Sequence, residues 1–262
     1  MTAPFFHILL EIFSGTLVGF TLGLIGGGGS ILAVPLMVYL VGVSNPHVAL
    51  GTSALAVALN ALVGLAQHAK QGTVKWRCAA IYASCGILGA FAGAAAGKAV
   101  NGQHLLLCFA ILMVIVGGIM LHGRRKTGTP GASCNRHNIG KVAGFGIGTG
   151  ILSGFFGIGG GFLIVPGLVA STNMPILNAV GTSLVAVAAF GLTTAVSYML
   201  SGYIDWQLAA LFVLGGALGS VGGMRLARRM AGKSGQLTTL FACIIFMVAA
   251  YMIWQGVSAL SF

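Results

Sequence analysis

Gly19-Phe-Thr-Leu-Gly-Leu-Ile-Gly-Gly-Gly-Gly-Ser-Ile-Leu-Ala-Val-Pro35 and Gly150-Ile-Leu-Ser-Gly-Phe-Phe-Gly-Ile-Gly-Gly-Gly-Phe-Leu-Ile-Val-Pro166 are two versions of one stretch. Each places glycines four apart, then a glycine cluster, then a short apolar run ending in proline. Both lie inside sequence apolar enough to cross a membrane. Backbone that leaves a helix at membrane depth is costly in hydrocarbon unless it lines a cavity or is buried in protein. The two glycine clusters therefore decide the fold and nominate the site.

Composition sets the class. Of 262 residues 57% are hydrophobic and only 6% charged, with a mean hydropathy of +1.01. A soluble domain of this length carries several times more charge, and the apolar runs suffice for a bilayer about 30 Å thick. The formal charge of +11 sits in short loops between apolar segments, as topology signals do, which argues against nucleic acid as a partner. The five cysteines (Cys78, Cys85, Cys108, Cys134 and Cys243) show neither zinc spacing nor a disulfide framework and read as small packing residues. No metal or other cofactor is implied. The N-terminal apolar run has no basic region before it and does not read as a cleavable signal.

The similarity of the halves extends beyond the glycines. Gly51-Thr52-Ser53 recurs as Gly181-Thr182-Ser183, the Gly72-to-Trp76 turn as Gly202-to-Trp206, and Gly86, Gly89 and Gly93 as Gly216, Gly219 and Gly223. A constant offset over this length marks a duplicated unit. The repeats are 1–122 and 140–262, joined by a polar linker, 123–139. Each holds a glycine-broken helix pair, with short segments at 30–43 and 161–172, followed by three transmembrane helices.

Charge then orients the repeats. If each broken pair enters and leaves on one side, the second repeat is inverted. One face collects Lys70, Lys75, Arg77, the basic linker residues, Lys141 and the Arg225–Lys233 cluster, with only Lys98 opposite. This obeys the positive-inside rule. It predicts an all-α polytopic membrane protein of two inverted repeats, with the linker cytoplasmic and both termini outside. Trp76 and Trp206 read as interfacial anchors.

Inversion would bring the two half-helix starts together near the midplane. Each start offers free N–H groups and about half a positive charge, so a pair of them is an anion site that needs no lysine. The candidate substrate-binding residues are Gly26, Gly27, Gly28, Gly29 and Ser30 in the first repeat and Gly157, Gly159, Gly160 and Gly161 in the second. Ser30 is expected to cap its half-helix. Thr52, Ser53, Thr182 and Ser183 could add hydroxyl donors or bond within their own helices. Asn60 lies mid-helix in lipid-depth sequence; Asn178, Gln67 and Tyr198 are weaker candidates. Glu11 and His68 are candidates for proton coupling. A cation carrier would be expected to need interior carboxylates.

These residues resemble the sulfite exporter TauE/SafE family over nearly the whole chain. The resemblance rests on both glycine–proline stretches, the paired Gly-Thr-Ser triplets and the paired glycine–tryptophan turns. It implies an inner-membrane permease for sulfite, sulfoacetate or related oxyanions, working by alternating access and coupled to protons. Two other readings are an uncoupled anion channel and an intramembrane hydrolase using Ser53 or Ser183 with His68.

Overall fold

The computed structural model describes residues 2–123, 129, 131–132, 134–135, 138–157, 161–229 and 234–260. Helix is the regular structure found among them. The elements are α1 (Thr2–Ile25), α2 (Ala33–Pro35), α3 (Pro46–Lys70), α4 (Trp76–Lys98), α5 (Gly102–Gly123), α6 (Ile139–Phe155), α7 (Gly161–Thr172), α8 (Ile176–Met199), α9 (Trp206–Arg229) and α10 (Ser234–Leu260). Six helical stretches (within α1, α3, α4, α5, α8 and α9) are long and apolar enough to cross a membrane. Leu88 and Leu218 stand largely exposed on α4 and α9, as does Trp254 on α10, as lipid-facing side chains do.

Local sequence explains the helix ends. Asn45 caps α3, its Oδ1 accepting from the His47 amide at 2.9 Å, and Pro46 supplies a preset first turn. Asp205 does the same for α9 through the Leu208 amide at 3.0 Å. Gly72 and Gly202 turn the chain with positive φ after α3 and α8. Trp76 and Trp206 follow as exposed first residues of α4 and α9.

The first broken segment departs from the expected regular half-helix. Gly26–Leu32 is a 3-10 helix, Ala33–Pro35 a single α turn and Leu36–Leu40 a π turn. A proline that can donate no amide, set behind a run of glycines, favours such changes of pitch. Its counterpart α7 is a regular helix with Pro166 inside. Ser30 is not a cap: it lies buried within the 3-10 turn, and Ile25, the residue before that turn, makes no side-chain cap.

The helices pair across the halves. Along α1, Cβ atoms at Gly15, Gly19 and Gly23 would run into the backbone of Phe212, Gly216 and Ser220 on α9, in ascending order, so the two helices run parallel. In return, Gly215, Gly219 and Gly223 lie on the carbonyls of Ile12, Thr16 and Phe20. The other pair repeats this pattern: Gly146, Gly150 and Gly154 of α6 lie on Tyr82, Gly86 and Ala90 of α4. Glycine on both faces lets backbones touch, which is how helices associate where no hydrophobic effect drives them together. Between these pairs α3 packs on α8 in antiparallel sense, Gly64 meeting Leu184 and Gly191 meeting Ala58 and Ala54. On the outside, α5 packs on α10.

The cysteine expectation is overturned. Cys78, in the first turn of α4, is disulfide-bonded to Cys134 in the linker, with Cα atoms 5.3 Å apart. Two residues 56 apart in sequence carry no spacing signal, and only tertiary structure brings their Cβ atoms into range. Cys108 and Cys243 are exposed rather than packed inside. The linker is further tied to the end of α7, where the Thr129 amide donates to the Asn173 carbonyl at 2.8 Å and Asn173 Nδ2 donates to Thr129 Oγ1 at 2.9 Å.

Substitution along the glycine ridges separates packing from composition. Gly19→Leu and Gly150→Leu should each cost at least the ~1–3 kcal/mol of an overpacked interior and lower the melting temperature of the detergent-purified protein. Gly118→Ala and Gly148→Ala, where no atom lies within 4 Å of an added Cβ, should leave it unchanged.

Candidate functional site

Both glycine clusters begin with a residue in the left-handed region: Gly26 has φ +69° and Gly157 has φ +62°. L side chains resist that region, so each helix can turn off here only at glycine. Each turn then seats on the other half. Gly26 lies against Val180, two residues before Thr182, and Gly157 lies against Leu50, two residues before Thr52. The Gly26–Leu32 segment packs directly on α7. The two broken segments are thus brought together, and Gly27, Gly28, Gly29 and Ser30 sit in the first of them. Gly161 opens α7. Gly159 and Gly160 lie outside the described residues.

The Gly-Thr-Ser triplets prove to be docking elements. Thr52 Oγ1 accepts from the Asp205 amide at 3.0 Å, and Thr182 Oγ1 accepts from the Lys75 amide at 3.0 Å. Each threonine therefore caps the turn that opens α9 or α4 in the opposite half. The neighbouring glycines make room: Gly51 lies against the Tyr203 carbonyl, and Gly181 against Thr73 and His68. Ser53 Oγ stands 3.0 Å from the Leu50 carbonyl and 3.3 Å from the Gly157 carbonyl, so its one proton can serve either. Ser183 Oγ donates to the Val180 carbonyl at 2.7 Å. Ser53 thus reaches the Gly157 turn as well as its own helix, while Ser183 bonds within its own helix, as the alternative reading of hydroxyls in membrane helices has it.

Asn60 differs from these. It is fully buried on α3, and neither Nδ2 nor Oδ1 has a hydrogen-bond partner among the described residues. Its amide lies over Gly216, where any Cβ would overlap it. The repeat-equivalent residue on α8 is Phe190, which lies over Gly86 in the same way and stacks on Tyr82 with ring centroids 6.3 Å apart.

Glu11 and His68 are not brought together. Glu11 lies toward the N-terminal end of α1, half-buried, with Oε2 unpaired among the described residues. His68 is buried at the C-terminal end of α3, its Nδ1 2.9 Å from Thr73 Oγ1. Ser53 and His68 lie about 22 Å apart along one helix, which removes the hydrolase pairing of those two residues. Asn178 Nδ2 donates to the Thr73 carbonyl at 2.9 Å. Gln67 sits one turn from the end of α3, partly buried. Tyr198 is buried with its hydroxyl unpaired among the described residues.

Sequence reading missed the pair Tyr82 and Thr149, whose hydroxyl oxygens are 2.8 Å apart beside Gly167. It also missed Thr73 and Tyr203 as the partners of the triplets. Their shared offset could have found those two. Among the described residues no Lys, Arg, Asp or Glu is buried, and no group of three His, Cys, Asp or Glu could hold a metal ion.

Among the described residues the core is thus nearly uncharged, the Gly26–Leu32 segment packs on α7, and α3 carries one buried amide without a partner. Comparison with known proteins agrees with a transport role. A probable membrane transporter protein of Xylella fastidiosa (strain Temecula1) is 48% identical over 256 residues, covering 97% of each chain. The probable membrane transporter protein YunE of Bacillus subtilis is 28% identical over 273 residues, 95% of this chain and 97% of the relative. One from Haemophilus influenzae is 31% identical over 76% of each. No solved structure matches significantly. The sulfite exporter TauE/SafE family model matches residues 11–252, and the chain belongs to that family of multi-pass membrane transporters.

Proposed function

We propose that this protein is a secondary transporter of small oxyanions, with sulfite and organosulfonates such as sulfoacetate as the substrate class, coupled to protons and working by alternating access. The observation that carries the reading is the reciprocal seating of the glycine turns, Gly26 on Val180 and Gly157 on Leu50, where no Lys, Arg, Asp or Glu is buried among the described residues. Free amides at the start of each broken segment supply the attraction for an anion, and glycine lets the anion approach the backbone. The site would be formed by Gly26–Ser30, Gly157 and Gly159–Gly161, with Ser53 fixing the Gly157 turn, Thr52, Thr182 and Ser183 nearby, and Asn60 alongside.

The helix directions support inverted repeats, 1–122 and 140–262: α3 and α8 are antiparallel, while α1 runs with α9 and α4 with α6. Transporters so built rock one unit against the other around a midplane site. The two threonine caps suit the role of gates. Thr52 to Asp205 closes the end at which α3 begins, and Thr182 to Lys75 closes the end at which α3 stops. The basic loops favour a cytoplasmic linker and second gate, with both termini outside.

Reconstituted in liposomes, the protein should carry sulfite or sulfoacetate saturably, driven by a pH gradient. Gly26→Val should insert normally and carry none. Flux of no oxyanion, or currents far above carrier turnover, would overturn the reading.

The gates make a paired prediction. Each lost cap is worth about 1 kcal/mol, a roughly fivefold shift in a local opening equilibrium. Thr52→Val should speed hydrogen exchange in the 200–206 turn alone, and Thr182→Val in the 70–76 turn alone.

The Cys78–Cys134 bridge reads the orientation. Disulfides in the cytoplasm are transient, so acid-trapped thiols from growing cells should be free at both positions and bridge on mild oxidation. A bridge found intact in unstressed cells would put the linker outside.

A further inference from the structure

A buried carboxamide with both ends unpaired loses the hydration of a donor and an acceptor and recovers neither. Nothing in the packing requires it at position 60. The equivalent place on α8 is filled by Phe190, which lies over Gly86 as Asn60 lies over Gly216 and finds a ring to stack on. The backbone architecture is thus satisfied by an apolar side chain in one half, while the other half keeps an amide with no partner among the described residues. Such a group is retained for something that arrives.

The amide also states what arrives. Nδ2 offers a donor and Oδ1 an acceptor on one planar group, so a fully ionised oxyanion, which has acceptors only, satisfies half of it and sets its own lone pairs against Oδ1. A monoprotonated oxyanion has charged oxygens and one O–H and satisfies both. We propose that Asn60 is the specificity-determining residue of the anion site, its Nδ2–H donating to a charged oxygen of the substrate and its Oδ1 accepting the substrate's own O–H. This rests on the oxyanion reading above and narrows it to the monoprotonated form, such as hydrogensulfite.

Proton coupling then needs no titrating side chain at the site. Along the helices around Asn60 the nearest titratable groups by register lie about two turns away or more: His68 on α3, Glu11 on α1 relative to Gly19, Arg225 on α9 relative to Gly216, and Tyr198 on α8 relative to Gly191. On the segments packed more lightly against α3 the groups are Tyr39 on the π turn and, on α5, Cys108 with a histidine toward each end. The proton crosses on the substrate, taken up by the anion on one side and released by ordinary ionisation on the other.

The test uses the full chain in detergent and in liposomes, with sulfite at pH 6 and pH 8, sulfate as a donor-free dianion, and methanesulfonate as a donor-free monoanion. Wild type should bind total sulfite more tightly at pH 6, in proportion to hydrogensulfite, and bind both donor-free anions about tenfold more weakly or worse. Asn60→Leu should lose sulfite binding and flux about tenfold or more while its melting temperature holds or rises, because an unsatisfied amide has been removed. A structural role predicts the reverse, a lower melting temperature with binding intact, and that result would sink the proposal. Methanesulfonate binding as tightly as hydrogensulfite, or a flat pH profile, would overturn the assignment of Oδ1. Wild type that carries no sulfite at all, at either pH, would instead remove the oxyanion reading itself.

Discussion

Backbone contact between glycine faces is the constraint on which this structure depends. In a membrane, helices gain nothing by hiding apolar side chains from one another, so close dispersion contact must hold them. Here that contact is made between halves: α1 lies on α9 and α6 on α4, with carbonyls where Cβ atoms would be. Each first helix makes its most extensive contact with a helix of the other half. Once α1 is set on α9, the turn at Gly26 arrives beside α8, and the turn at Gly157 arrives beside α3 for the same reason. The meeting of the two broken segments is a consequence of the exchange.

The polar groups of the core follow from that arrangement. A helix start carries amides with no intrahelical partner, and in a nonpolar medium each needs one. The starts of α4 and α9 take theirs from threonines of the opposite half, which closes both ends of the molecule in the same way. The Gly26–Leu32 segment packs on α7, and among the described residues no Lys, Arg, Asp or Glu is buried. Thr52 and Thr182 therefore act as fasteners between the halves, at the turns that open α9 and α4. Asn60 stands outside both schemes, with neither end of its amide paired among the described residues.

Much of this was legible in the chain. The apolar runs, the offset between the halves and the two glycine clusters marked a helical membrane protein with a duplicated unit and put its singular backbone in two places. Asn60 stood out as an amide in lipid-depth sequence. The roles of Thr52, Thr182, Ser53 and Ser183 were not legible, because a hydroxyl's partner is set by whichever segment lies opposite, and that segment comes from the other half. Ser30 looked like a cap because serine before an apolar run usually is one, yet the glycines ahead of it continue the turn as a 3-10 helix and carry it inside. Cys78 and Cys134 gave no sign of pairing.

What the amino-acid sequence determined by itself was everything that depends on local composition and period: helix, span, turn, repeat and membrane class. These are near-neighbour properties of the chain, set by hydropathy, by glycine's missing Cβ and by proline's missing amide. What only tertiary structure decided was who partners whom: α1 with α9, Thr52 with Asp205, Cys78 with Cys134, and Asn60 with no group among the described residues. Partnership depends on distances between residues far apart in the chain, and those distances exist only after the helices have packed.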